Sequence, residues 1–354
     1  MQTLAAIISS EMNVVFRVDS SNQMGVGHLT RCLTLADELE KKNHNATFIC
    51  RELKGNLIKS IKHRVFILPV DKDFQSDDLY LSWLGATQEQ DAKQTIQAIP
   101  DNADLLIVDS YALDEVWHKQ LNPHTKKIMV IDDLADRSYD CDILLNQNLG
   151  FQAKDYNSKI RDDCNLLLGC EYALLRPQFA ELRSKALLKR KNTAVIQNIL
   201  ISMGGADKMN VTYDVIKQLD KNLNIVVVLG ASSVHKEMIK NYAIDKKIRV
   251  VVNAQNMPEL MLNADLAIGA GGSSSWERCC LGLPSLTFVL SENQRKVAEN
   301  LQKAGATLIV KNLANDIKEL IENFDLWLSM SIKAQNLSDG FGAKKVKDFL
   351  FNFK

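Results

Sequence analysis

Two glycine-rich stretches carry the side chains best suited to chemistry. In the first, Gly25-Val26-Gly27-His28, the glycines let the backbone approach a ligand without Cβ interference, and His28 falls in the first turn of a helix. The positive end of a helix dipole disfavours imidazolium there, leaving the neutral ring that a general base requires. In the second, Gly271-Gly272-Ser273-Ser274-Ser275-Trp276-Glu277, Gly271 and Gly272 permit a tight turn. Ser273, Ser274 and Ser275 present N–H and hydroxyl donors at a helix N-terminus, a seat for a diphosphate that needs no Walker lysine. Neither stretch is a common nucleotide fingerprint: Thr30 stands where a dinucleotide loop has its third glycine, and no Gly-Lys-Ser/Thr follows Gly272. Structural roles compete at each position. A histidine at a helix start is commonly a cap or a surface residue, Ser274 to Glu277 fits a capping box, and Asn293 suits an N-cap. As a functional group, Glu277 lies one turn beyond the anion loop, where a carboxylate accepts both hydroxyls of a ribose.

The elements that must position these residues alternate strand and helix. Val14–Val18 reads as a buried strand, and Leu29, Cys32, Leu33, Ala36 and Leu39 recur at helical spacing after it. Further strands are expected at 46–51, 65–70, 105–108, 127–131 and 142–145. Three of them end in Asp109-Ser110-Tyr111, Asp132-Asp133 and Asn146-Gln147-Asn148. Buried runs alternating with helices predict a parallel sheet covered on both faces, with ligands beyond the carboxyl ends of its strands. Turn chemistry alone explains most of these acids and amides; Tyr111 offers a ring that packs on a ligand. A charged helix at 177–191 reads as a solvated or bridging linker. The alternation then restarts: strands at 199–203, 225–229, 248–252, 266–268 and 284–289, with Gly204-Gly205-Ala206-Asp207 after the first and the second glycine-rich loop after the fourth. The fold class is α/β, as two similar halves.

The 354 residues are enough for two domains, each with its own core, and 43 basic residues balance 43 acidic ones. That balance excludes a nucleic-acid or polybasic membrane footprint. No apolar run reaches the ~18–20 residues of a membrane span. The opening MQTLAAIISSEMN lacks a basic n-region and a cleavage site, so it does not read as a signal peptide, and Met12 is an alternative start. Seven scattered cysteines and six isolated histidines suggest neither a disulfide framework nor a metal site, which fits a reducing cytoplasm.

Taken together, FRVDSSNQMGVGHLTRCLTLA, VIDDLADR, LLNQN, LLGCEYALLRPQF, ISMGGAD, GAGGSSSWERCCLGLPSL, LSENQ and SDGFGAKKV resemble the UDP-sugar hydrolases of pseudaminic acid biosynthesis. Those enzymes act on UDP-2,4-diacetamido-2,4,6-trideoxy-β-L-altropyranose. The resemblance implies a glycosyltransferase B-like fold, two Rossmann-like domains facing a cleft. Residues 12–185 would form the domain carrying the catalytic histidine, 195–340 the UDP-binding domain and 341–354 a C-terminal helix. It implies that His28 is the catalytic base, that Gly25 and Gly27 shape the sugar-side loop, and that Glu277 binds the ribose. Asn293 and Tyr111 then stand where the family contacts substrate. No metal or other cofactor is expected; the partner is a small UDP-sugar, and one chain suffices to form the cleft. Two other functions remain open: a transferase of the same fold passing the sugar to an acceptor alcohol, and a non-catalytic UDP-sugar-binding protein.

Overall fold

The structure, a computed structural model, describes residues 11–352 apart from 206, 232, 245 and 247. The start-site and leader readings, which rest on the opening residues, and Ala206 of the Gly-Gly-Ala-Asp turn lie outside the described residues.

Apolar runs in the first half become seven parallel strands: β1 (Asn13–Val18), β2 (Asn45–Arg51), β3 (Arg64–Leu68), β4 (Leu105–Asp109), β5 (Lys127–Ile131), β6 (Ile143–Asn146) and β7 (Asn165–Leu168). They lie in the order β3-β2-β1-β4-β5-β6-β7. Helices α1 (Gly27–Glu40), α2 (Leu79–Leu84), α3 (Gln88–Ala98) and α4 (Glu115–Leu121) cover the sheet. Alternation along β1 divides the core. Val14, Phe16 and Val18 meet Leu29, Cys32, Leu35 and Leu39 of α1, whereas Val15 faces the side holding Leu84, Ala92 and Trp117.

The second half repeats the plan. It runs α5 (Pro177–Asn192), β8 (Asn198–Ser202), α6 (Val211–Gln218), β9 (Asn224–Leu229), α7 (Lys236–Ala243), β10 (Ile248–Val252) and α8 (Met257–Asn263). It continues with β11 (Leu266–Ala270), α9 (Ser274–Cys280), β12 (Ser285–Phe288), α10 (Glu292–Lys303), β13 (Thr307–Ile309), α11 (Leu313–Glu322), α12 (Phe324–Gln335) and α13 (Gly342–Asn352). Its parallel strands are ordered β10-β9-β8-β11-β12-β13. In both sheets the chain first builds outward one way and then crosses back, so the order reverses between β1 and β4 and again between β8 and β11. Loops leaving the carboxyl ends of those strand pairs diverge and open a crevice.

The charged helix α5 is not a solvated linker. It packs on α8, α9 and α12. Its buried Arg190 donates to the carbonyls of Met261 and Ala264, satisfying the open carbonyls at the end of α8. Arg183 likewise donates to the carbonyls of Gln335 at 2.7 Å and Ser338 at 3.1 Å. Two of the basic residues read as surface charge, Arg183 and Arg190, are thus helix-end caps of the second lobe. Helix α13 crosses back to the first lobe, where Ala343, Val346 and Leu350 join the same core as Val14, Phe16 and Leu29. No helix of the described residues is long and apolar enough to cross a membrane.

Candidate active site

Strands β1 and β4 run side by side with Val18 next to Asp109, so the turn after β1 and the end of β4 meet at the first reversal of strand order. Gly25 sits at φ +80°, a left-handed conformation that suits glycine, and exchanges backbone hydrogen bonds with Ser21 at 2.9 and 3.3 Å. This tight turn delivers Gly27 and His28 to the start of α1. The side chain of His28 is only 11% exposed, and its Nδ1 lies 2.6 Å from Asp109 Oδ1.

Behind the ring is a charge cluster built around Arg31, one turn further along α1. Arg31 Nε donates to Asp109 Oδ2 at 2.7 Å and Nη2 to Asp109 Oδ1 at 2.7 Å. The same guanidinium donates to both carboxylate oxygens of Asp133, at 2.9 and 2.8 Å. Tyr111 Oη and Asn148 Nδ2 each donate to Asp133 at 2.8 Å, and the Tyr111 ring meets His28 edge-on with centroids 4.6 Å apart. Burial alone would raise the Asp109 carboxyl, but the Arg31 guanidinium and His28 override it and hold it well below the usual carboxylate range. Asp133 is lowered in the same way: burial opposes the shift, and Arg31 outweighs it. Burial and the neighbouring Asp133 push the Tyr111 phenol well above its ordinary value, so it stays a neutral donor. Asp109 therefore remains an anion that fixes the imidazole by one nitrogen.

The second glycine-rich loop leaves β11 at the other reversal. A Cβ on Gly271 would lie 3.3 Å from Thr287 Cγ2 and 3.5 Å from both Gln294 and Ala298, so α10 presses on this turn and favours the smallest residue. The Ser275 and Trp276 N–H groups bond back to the carbonyls of Gly272 and Ser273, at 2.9 and 3.1 Å. The N–H groups left for a ligand are those of Gly272, Ser273 and Ser274, which moves the donor set one residue earlier than the sequence suggested. Arg278 is buried beneath the loop and donates to the Ala270 carbonyl, Ser275 Oγ and Ser274 Oγ at 3.0, 2.9 and 3.2 Å. Its charge adds to the positive field at the turn.

Glu277 does not close a capping box. Ser273 is the N-cap and makes no side-chain cap bond, so Glu277 is the fourth helical residue, beyond reach of the cap. Its side chain is 19% exposed, and its carboxylate is 3.9 Å from Arg176 Nη2. Burial pushes the Glu277 carboxyl up, while Arg176 and Arg278 oppose the shift. Asn293 is likewise not a cap: Ser291 holds that position, and Asn293 is half-buried in the first turn of α10, where it accepts a 2.5 Å bond from Ser291 Oγ. Gly205 packs against the end of β9, where a Cβ on Gly230 would collide with the Gly205 carbonyl at 2.1 Å.

The two loops meet across the crevice. A Cβ built on Gly27 of the first lobe would sit 3.6 Å from Ser273 Oγ of the second. Gly27 of the first lobe and Ser273 of the second thus face each other across one gap, with His28 next to Gly27 in the chain and the Tyr111 ring against His28. Arg31 and Arg278 pack behind these loops and were not singled out in the sequence, where Asp109 was named only as a strand end facing the crevice. The available signals were the three-residue spacing of His28 and Arg31 along one helical face and a lone cation inside the apolar run around Trp276-Glu277-Arg278-Cys279. Among the described residues, no group of three or more His, Cys, Asp or Glu is arranged to hold a metal ion.

Two parallel-sheet Rossmann-like lobes with a crevice between their switch points give the chain a glycosyltransferase B-like fold. In agreement, it superposes on MurG of Acinetobacter baumannii with a TM-score of 0.65, covering 97% of this chain and 100% of that one at 14% identity. Residues 198–351 match the model described as Glycosyltransferase family 28 C-terminal domain. The chain is related at family level to the UDP-2,4-diacetamido-2,4,6-trideoxy-β-L-altropyranose hydrolase of Campylobacter jejuni, with 28% identity over 83% of this chain and 97% of that protein. It is also 30% identical over 87% of its length to an uncharacterized protein of Methanocaldococcus jannaschii, of which it spans 61%.

Proposed function

We propose that this chain hydrolyses UDP-2,4-diacetamido-2,4,6-trideoxy-β-L-altropyranose to UDP and the free diacetamido sugar, by attack of water at the anomeric carbon. The observation that carries this reading is the pairing of His28 with Asp109 directly beside the contact between Gly27 and Ser273. That pairing sets a fixed imidazole next to an anion-binding loop. With Nδ1–H donated to Asp109, Nε2 carries the lone pair that removes a proton from water. Arg31 holds the Asp109 carboxylate by two bonds, so the imidazole orientation does not depend on a mobile side chain.

UDP leaves as a stable anion, so little proton donation is needed on its side. The N–H groups of Gly272, Ser273 and Ser274, with Arg278 beneath them, meet the charge that develops on the diphosphate. Glu277 accepts the ribose hydroxyls, Asn293 contacts the substrate at the mouth of the gap, and the Tyr111 edge borders the sugar. Water attacks opposite UDP, which gives inversion at the anomeric carbon. The residues divide between 12–185 for the base and 195–340 for the nucleotide, with the helix in 341–354 tying the two together.

The family-28 match over the second lobe favours one other reading, transfer of the sugar to an acceptor alcohol. Incubation with a panel of UDP-diacetamido sugars in ¹⁸O water, with mass spectrometry of the products, separates the two. Hydrolysis at carbon puts the label in the free sugar without any acceptor. Label in UDP, or release that waits for an added alcohol, overturns the proposal.

A further inference from the structure

Leu149-Gly150-Phe151, just after β6, straddles the two lobes. Leu149 packs against the second-lobe core to which Val297 and Leu301 of α10 belong, whereas Phe151 is buried in the first-lobe core with Trp117 and Tyr156. Asn300, also on α10, donates from Nδ2 to the Leu149 carbonyl at 2.8 Å, across 151 residues of chain. Gly150 lies beneath that amide at φ +89°, and a Cβ there would collide with the Asn300 side chain. Glycine admits both the left-handed backbone and the amide laid over it. One turn earlier on α10, Lys296 Nζ stands 3.7 Å from the Phe151 ring centroid and 3.8 Å from the Asp155 carboxylate. Lys296 and Asn300 share one face of the helix, and that face is fitted to the first lobe.

Both partners of this contact continue into the candidate site. On the second lobe, Gln294 and Ala298 of the same helix press on Gly271, whose Cβ would lie 3.5 Å from each. On the first lobe, Asn148 directly precedes Leu149 and donates to Asp133 at 2.8 Å. Arg31 binds Asp133 and also holds the Asp109 carboxylate that fixes His28. A hydrogen-bonded helix moves as a rod, so a shift of Asn300 against Leu149 carries the anion loop away from the imidazole. A hydrogen bond between the lobes sets both distance and direction, which apolar contact alone does not.

We propose that Asn300 is a positioning residue: its bond to the Leu149 carbonyl, seated over Gly150 and flanked by Lys296 on Phe151, latches the lobes in the register that brings His28 to the sugar carbon of a nucleotide held by the second lobe. Holding the nucleotide needs the second lobe alone, whereas attack of water needs both lobes in register. The latch therefore acts on the chemical step and not on UDP affinity. The inference rests on the reading of the crevice as a UDP-sugar hydrolase site.

The test uses the full chain with Asn300→Ala, which suits a helix interior, and Asn300→Asp, which keeps the shape and turns the donor into an acceptor. In both, kcat for UDP release from the UDP-diacetamido sugar should fall about tenfold or more, since a misplacement of about 1 Å remote from the chemistry can cost ~10²-fold. UDP affinity by calorimetry should stay within about twofold of the parent. Zero-length carbodiimide coupling of Lys296 to Asp155, mapped by mass spectrometry, reads the closeness of the lobes without turnover, and its yield should drop in both variants. Lys296→Met alters a half-exposed side chain and should lower kcat by a smaller factor, which keeps the test decisive if the Asn300 variants fail to fold. An unchanged kcat, a parallel loss of kcat and UDP affinity, or a full Lys296–Asp155 yield in the Asn300 variants overturns the latch. A parent that releases no UDP from the sugar overturns the reading of the crevice, while the cross-link yields still decide whether Asn300 holds the lobes together.

Discussion

The sharpest consequence of the geometry is the expected behaviour of His28→Asn. A positioned base supplies roughly 10²–10⁴ in rate, and each tenfold is about 1.36 kcal/mol. Loss of the imidazole should therefore raise the barrier by about 3–5 kcal/mol. The fold should tolerate the change. His28 makes one bond to Asp109, whose carboxylate keeps two bonds from Arg31 at 2.7 Å, so the stability loss should stay near ~1 kcal/mol. The proposed UDP contacts lie on the second lobe, so its affinity should match that of the parent. The assay is kcat from UDP release, beside UDP binding by calorimetry and a thermal midpoint as a folding control. A kcat loss under tenfold, or an equal loss of UDP affinity, would remove His28 from the chemistry and refute the argument.

Glu277→Ala should weaken UDP binding about ten- to a hundredfold, as expected for a charged acceptor meeting hydroxyls, with a smaller effect on kcat; unchanged affinity by calorimetry would rule out ribose contact. Gly230→Ala forces a methyl into the Gly205 carbonyl at 2.1 Å and should cost about 1–3 kcal/mol, read as a lower thermal midpoint. His63 bonds to Asp37 at 2.9 Å and Glu40 at 2.8 Å, and the Asp37 bond, opposed by burial and aided by Glu40, raises its pKa. Its contribution is then fully present below about pH 6.5 and lost as pH rises through the raised folded value. His63→Gln should accordingly lower the thermal midpoint more at pH 6 than at pH 9, by less than ~1 kcal/mol because both acids are exposed; an equal gap at the two pH values would contradict the pairing.

Elements with long buried runs were legible in the sequence because a parallel strand covered on both faces has no polar alternation to confuse. Strands β1, β4, β5 and β10 fall within a residue or so of expectation. Strand β13 is three residues long, too short to show a period, and α5 misled because its arginines cap carbonyls that only tertiary packing brings near. The site divides in the same way. The glycine loops and His28 announce themselves locally, since turn geometry and helix starts are local facts. The bond from Arg31 to Asp109 spans 78 residues and depends on β4 lying beside β1, an order that no local pattern specifies. The apparent capping box failed by one residue: Ser273 rather than Ser274 ends the turn, which frees the Glu277 carboxylate from the backbone.

The crossing of α13 has a consequence for how the chain is made. Ala343, Val346 and Leu350 complete the apolar seam along α1, so the first lobe to emerge during synthesis stays unfinished until nearly the last described residues arrive. Until then, the helix that bears the imidazole shows water an oily groove. Maturation of the earliest segment should therefore wait on the latest, and a nascent chain halted before residue 342 should be a ready client for chaperones.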